Sequence, residues 1–270
     1  DSMREVTLED LDALEIGAAI LGTGGGGNPY IGKLRAREVL RAGYELRVQP
    51  LETLDDQAKV IPLGGIGAPL VSFERIKEGR EGLRCLRALE QRLGITADAV
   101  ACEEIGGQNS MEPLVTAALA GLPVVDGDGM GRAFPEMQMT TYAIYGHRST
   151  PSVMCDPHGN IVIFDHAITE KWHETMARAC VVAQGGASVL AAAPMSGAFM
   201  KRYSIPHTYT QAIGLGYAVL EARRDHEERG PGLCLLEALE RPLVGLLSLF
   251  ADRRQAEFVF RRQLLLGLWA

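Results

Sequence analysis

Apolar residues Leu8, Leu11, Leu14, Ile16, Ala18, Ala19 and Leu21 recur at helical spacing, and Thr7 with Asp10 forms a capping-box pattern ahead of them. Together they predict a helix over roughly 8–21. Gly22 to Gly27 must break it, and Pro29 with Ile31, Leu34, Val39 and Leu40 starts a second helix that ends at Gly43. The pattern then alternates. Residues 45–51 and 59–63 read as strands, 73–93 as a long helix, and 99–104 as a buried strand. A helix capped by Asn109 or Ser110 runs to Ala120, and 123–126 is a short apolar strand. Beyond Arg132 the pattern predicts a helix near 133–145, a hairpin of 152–156 with 161–164, helices over 172–184 and 208–224, and a strand at 188–193. Strands separated by helices of this length predict an α/β fold: a three-layer sandwich around a mostly parallel sheet.

Composition narrows the class of partner. The 270 residues are 47% hydrophobic and 23% charged, as in an ordinary globular chain, and the net charge of −7 leaves no basic stripe for nucleic acid or for a membrane surface. A small-molecule substrate fits better. Five cysteines without CxxC spacing argue against a disulfide framework or a thiolate zinc site, and no apolar run reaches membrane-spanning length. A cytoplasmic location is expected, with neither signal peptide nor membrane span.

The chemistry-bearing residues cluster between 22 and 140. In Gly22-Thr23-Gly24-Gly25-Gly26-Gly27-Asn28-Pro29 a sharp turn would need one or two glycines, so the longer run suggests backbone placed close to a ligand. It follows a helix and is therefore no dinucleotide fingerprint. A second cluster, Gly64-Gly65-Ile66-Gly67, follows a strand and belongs at the edge of the sheet where ligands bind. Glu103-Glu104-Ile105-Gly106-Gly107-Gln108-Asn109 places acids at the end of a strand, with only one glutamate facing inward because neighbouring strand side chains point oppositely. Asp126-Gly127-Asp128 with Arg132 and Glu136 repeats the arrangement one strand later. Such carboxylates can ligate a divalent metal, activate water or form an ion-pair network, and the spacing selects none of these. No HExxH or HxH pair occurs; His147, His166, His173 and His207 read as solvent-facing or core residues. No GxSxG elbow is present.

The segments LGTGGGGNPY (21–30), GGIGAP (64–69), EIGGQN (104–109), VDGDGMGRAFPEMQM (125–139) and PMSGAFMKRYSIPHT (194–208) resemble a bacterial family once catalogued as domain of unknown function 917. That family includes S-methyl thiohydantoin desulfurase and is associated with hydantoin utilisation. The resemblance runs from about residue 5 to 225. It implies an N-terminal α/β domain over 1–165 carrying the glycine loops, and a second, β-containing domain beginning over 166–230. Residues 231–270 form a Leu- and Arg-rich tail unlike the family's usual ending, so the second domain is expected to be incomplete.

It also implies hydrolysis of a small cyclic amide-like substrate of the S-methyl thiohydantoin or hydantoin type. Glu104, Asp126 and Asp128 are then the candidates to activate water, directly or through a divalent metal, with Arg132 available to a substrate carboxylate. Thr23, Gly24, Gly25, Gly26, Asn28, Gly65, Gly67, Gly107, Asn109 and Glu136 are the candidate binding residues. The alternative is a noncatalytic binding subunit. A homo-oligomer or a hydantoinase-type partner is compatible with either.

Overall fold

Thr7 closes the predicted capping box, its side chain accepting the Asp10 N–H while Asp10 accepts the Thr7 N–H, and α1 (Leu8–Leu21) follows the short strand β1 (Arg4–Glu5). The structure is a computed structural model that describes residues 3–23, 25–75 and 77–229. Asn28 caps α2 (Pro29–Arg41), which leads to β2 (Arg47–Pro50) and the long strand β3 (Lys59–Gly67). A single turn, α3 (Val71–Glu74), precedes α4 (Glu81–Leu93), β4 (Ala99–Cys102), α5 (Met111–Ala120) and β5 (Val124–Asp128). Then come α6 (Thr141–Ile144), the hairpin β6 (Ser152–Cys155) and β7 (Ile161–Phe164), α7 (Glu170–Ala183) and β8 (Ala187–Ala191). The described chain closes with β9 (Met195–Ser196), α8 (Gly197–Tyr203), β10 (Ile205–Pro206) and α9 (Thr208–Arg229).

Ten strands form one sheet among the described residues, in the order β1-β2-β5-β4-β3-β8-β6-β7, with β9 on β3 and β10 on β5. Its centre, β2-β5-β4-β3, is parallel. The sequence β3-α4-β4-α5-β5 is thus two crossovers between neighbouring parallel strands, each of which needs a helix. Every residue of β4 and β5 is buried, as strands covered on both faces must be. Antiparallel β8, β6 and β7 extend the sheet beyond β3, so the sheet runs unbroken through the hairpin into residues 187–191.

Helices cover both faces. On one face α4 lies across β6 and β8 and α5 across β3 and β4. On the other, Ala177 and Val181 of α7 pack on Ile66, Met154 and Leu190, while Met200 of α8 packs with Val60, Ala99, Ala101 and Val125. The α/β sandwich expected from the pattern is therefore present, with a parallel centre and antiparallel margins.

Two predicted helices are interrupted, for local reasons. The stretch 73–93 divides because buried Glu81 turns its carboxylate back to accept the Glu78 and Gly79 N–H groups, both at 2.8 Å, which starts a new helix at that point. The stretch 133–145 stays mostly irregular. There Glu104 claims the Phe134 N–H at 3.0 Å and Glu174 the Met137 N–H at 3.2 Å, donors a helix would have needed near its start. The chain divides into two compact units, 1–216 and 217–270. Of the second, only residues 217–229 are described, as the end of α9; the predicted tail 231–270 lies outside the described residues.

Candidate functional site

The glycine run after α1 packs backbone against backbone. Gly26 has φ +75°, a conformation costly for residues with a Cβ, and a Cβ there would collide with the Gly106 carbonyl. Gly107 meets it from the other side, and its neighbour Gln108 donates its N–H to the Gly26 carbonyl at 2.7 Å. The two glycine clusters therefore fit one another first. Their half-buried rim, Gly25 to Gly27, then forms one wall of a cavity of about 220 Å³.

Across from it stands the end of β3. Asn109 accepts the Gly65 N–H at 2.7 Å and returns a bond to the Gly65 carbonyl at 3.3 Å, so a side chain completes the edge of the strand. The same amide donates to Glu104, whose other oxygen accepts the Phe134 N–H at 3.0 Å. Glu104 is buried and raised above the ordinary carboxylate range. Burial raises it, against the bonds from Asn109 and Phe134 and the nearby charge of Arg178. Both of its oxygens are thus engaged.

Glu103 behaves differently. It is half-buried and borders a smaller adjoining cavity of about 50 Å³, which shares Glu104, Asn109, Phe134 and Arg178 as walls with the larger one. Its carboxyl takes no hydrogen bond from the described residues and is pushed up to about 8, first by burial and then by Glu104, Glu174 and Glu170. A proton-exchanging carboxyl facing a cavity is what general acid–base chemistry near neutral pH requires. Strand alternation predicted one inward glutamate; both border the smaller cavity, because the chain leaves the sheet after Cys102.

The S-Me-THD-like N-terminal domain matches residues 9–166 and the S-Me-THD-like C-terminal domain residues 168–250. The chain belongs to the S-Me-THD-like family. A crystal structure of a protein from Chromobacterium violaceum superposes with a TM-score of 0.74 at 26% identity, covering 89% of this chain. This chain spans 66% of that protein's length. No curated protein matches it.

Within this S-Me-THD-like chain, the candidate residues divide into those at the cavities and those that build the frame. Gly25, Gly26, Gly65, Gly67, Glu104 and Asn109 line the larger cavity, and Glu136 lines the smaller one, where Lys171 pairs with it at 2.5 Å. Thr23, Asn28, Gly107, Asp126, Asp128 and Arg132 line neither. Asp126 instead heads α9, accepting the Tyr209 N–H at 2.9 Å, the Thr210 N–H at 3.2 Å and the Thr210 hydroxyl at 2.6 Å. Asp128 is fully buried and pins the loops through the Ile105 and Gly131 N–H groups. Burial pushes it up to about 8 against those donors. Arg132 donates to the Thr23 carbonyl at 3.1 Å, tying the two loops together at the surface. Thr23 turns its hydroxyl to Ile20, Asn28 caps α2, and Gly107 underlies Gly26. Gly24 lies outside the described residues.

Sequence reasoning missed Lys77, Gln108, Phe134 and Arg178, all cavity walls, and passed over Glu103 in favour of its neighbour. Lys77 and Arg178 sit in regions read only as helix, and nothing in their local pattern marks them. Gln108 was visible inside EIGGQN but carries no chemistry of its own there. His173 is a core residue as expected, buried between the Ser149 and Ser152 hydroxyls at 2.7 Å each.

Among the described residues no group of three or more His, Cys, Asp or Glu is placed to hold a metal ion. Of the carboxylates here, Glu104 is engaged by the Asn109 amide and the Phe134 N–H, Asp128 by the Ile105 and Gly131 N–H groups, and Asp126 by the start of α9. Among the described residues no helix is long and apolar enough to cross a membrane.

Proposed function

We propose that this S-Me-THD-like protein hydrolyses small cyclic amide-like substrates of the S-methyl thiohydantoin or hydantoin type, with Glu103 moving the protons. The observation that carries the reading is the Glu103 carboxyl, without a hydrogen-bond partner among the described residues and held near 8 at the wall of a cavity that Glu104 also borders. In its ionised form Glu103 takes a proton from water as the water oxygen bonds to the ring carbon bearing the methylthio group. The C=N pair shifts to the ring nitrogen, which receives that proton. When the C–S bond breaks, the new hydroxyl loses its proton by way of Glu103 to the departing methanethiolate, leaving hydantoin and methanethiol.

Glu104 and Asn109 are positioning residues in this scheme. Their bonds to each other, to Gly65 and to Phe134 fix the wall against which the ring lies. This reading moves the base from Asp126 and Asp128, whose carboxylates serve the frame, to Glu103.

Methanethiol release from S-methyl thiohydantoin, followed by thiol assay and mass spectrometry of the ring product, tests the reading. Below pH 8, kcat/KM is expected to rise about tenfold per pH unit, levelling above it, because only ionised Glu103 accepts the proton. Glu103→Gln should lose about a hundredfold or more in kcat while remaining folded. Full activity in Glu103→Gln, or ligand binding by the native protein without turnover of any ring in the series, refutes it.

A further inference from the structure

Cys85 and Cys155 lie far apart in the chain, and the fold brings them together on one face of the sheet, away from both cavities. Met154 and Leu190 turn toward α7, where they pack with Ala177 and Val181, so their neighbours Cys155 and Val189 point to the opposite face. Those two residues are register partners in adjoining strands, and α4 lies across both β6 and β8. From α4, Cys85 donates to the Val189 carbonyl at 3.1 Å, and its thiol is also within hydrogen-bonding reach of Cys155. Both thiols are fully buried.

The two sulfurs differ in their surroundings. Arg84 brings its guanidinium within hydrogen-bonding reach of Cys155 and pairs with Glu78 at 3.0 Å. Cys155 is held below the ordinary thiol value, by the hydrogen bond from Cys85 first and then by Arg84, against burial and the charge of Asp156. Cys85 is pushed well above it, first by burial. The thiolate is the attacking form of a cysteine, so Cys155 is the nucleophile of the pair and Cys85 the thiol waiting beside it. The cover over Cys155 is thin. The Arg84 side chain is 37% exposed, and Ile161, directly opposite Cys155 on the outermost strand β7, is 47% exposed. Arg84 thus touches both the sulfur and the solvent, and an oxidant as small as hydrogen peroxide has a short path inward.

We infer that Cys85 and Cys155 are a peroxide-sensitive pair that closes to a reversible disulfide. The Cys155 sulfur bonds to one peroxide oxygen as the O–O bond breaks, and the departing hydroxide takes up a proton to become water. The Cys85 sulfur then bonds to the sulfenic sulfur of Cys155, and the displaced hydroxyl leaves with the Cys85 proton as a second water. The two electrons lost by the sulfurs reduce the peroxide. A disulfide needs its sulfurs about 2 Å apart, and thiols already in hydrogen-bonding contact reach that through small side-chain rotations. One transient pair differs from the disulfide framework that the cysteine spacing argues against, and it is the form disulfides take where thiols are otherwise kept reduced. Cys85 also protects its neighbour, because a sulfenic acid with no thiol beside it goes on to sulfinic acid, which thiols do not reverse. The pair owes nothing to the hydrolase reading and stands or falls apart from it.

Treatment of the folded full chain with hydrogen peroxide, then alkylation and peptide mapping by mass spectrometry, tests this. A peptide linking Cys85 to Cys155 is expected, with loss of two of the five thiols and their return on adding dithiothreitol, while the circular dichroism stays native. Cys85→Ser should leave Cys155 as a sulfenic acid that dimedone traps, and then as a sulfinic acid that dithiothreitol does not reverse. Arg84→Gln should slow disulfide formation about tenfold, the effect of about one unit in the thiol pKa, and Cys180→Ser should leave the rate unchanged. Absence of the linked peptide from folded, oxidised protein, its appearance only after denaturation, dimedone labelling of Cys180 ahead of Cys155 in Cys85→Ser, or oxidation of Arg84→Gln at the native rate overturns the inference. The map of the native protein decides alone if Cys85→Ser fails to fold.

Discussion

Replacing Glu112 by glutamine should unfold this protein at a markedly lower temperature and loosen the cavity wall with it. Glu112 is 1% exposed and holds Arg35 at 2.5 Å and Lys77 at 3.1 Å. Burial acts to raise its carboxyl, but the two cations outweigh burial and hold it at about 2 instead of the ordinary 4.5. A fall of that size corresponds to about 3 kcal/mol in favour of the folded, ionised form. Removing one partner of a buried pair costs a comparable 3–5 kcal/mol or so, because the cations stay buried without their counter-charge. For a domain of this size that is a loss of about 6–20 °C in Tm. The pH profile carries the same information. A depressed carboxyl contributes stability that is complete above pH 4.5 and is lost as pH falls from 4.5 towards 2. Thermal unfolding followed by circular dichroism at pH 7 and across pH 2–5 measures both. The reasoning fails if Glu112→Gln melts within about 1 °C of the native protein, or if the two proteins lose stability in parallel on acidification.

Three further outcomes follow from the same contacts. Asp126→Ala removes the acceptor for the first N–H groups of α9 and should cost about 1–2 kcal/mol in urea unfolding. Its kcat/KM on S-methyl thiohydantoin should stay within about threefold, since Asp126 lines neither cavity; a much larger loss would return it to the catalytic site. Gly26→Ala should destabilise by about 2–4 kcal/mol, from left-handed backbone plus collision with Gly106, whereas Gly43→Ala, with φ +86° and open space around it, should cost only about 1 kcal/mol. Equal costs at the two positions, read by chemical denaturation, would show that the loops do not press together as described. Gly65→Ala should raise KM more than it lowers kcat in the thiol-release assay, because the new methyl crowds Asn109 and the approach to Lys77; an unchanged KM would mean that the ligand does not pass there.

The sequence by itself determined the elements whose signals are local. The capping box at Thr7 set the start of α1, Gly22 its end, and the alternation of strands with long helices set the parallel centre of the sheet. It also marked the stretches from which the cavity is built, because glycines packed this densely are hard to account for without close backbone approach. It could not say what each carboxylate touches. Asp126, Asp128 and Glu104 look alike in the chain, each at the end of a strand and near glycine. The fold then turns Asp126 to the head of α9, buries Asp128 against two loop N–H groups, and engages both oxygens of Glu104. Among the described residues Glu103 is left without a hydrogen-bond partner, and Lys77 and Arg178 arrive from distant stretches of chain. Periodicity reports which face of an element is apolar. Only the packing of that element against partners far away in sequence decides which polar groups find a hydrogen bond and which are left to meet a ligand.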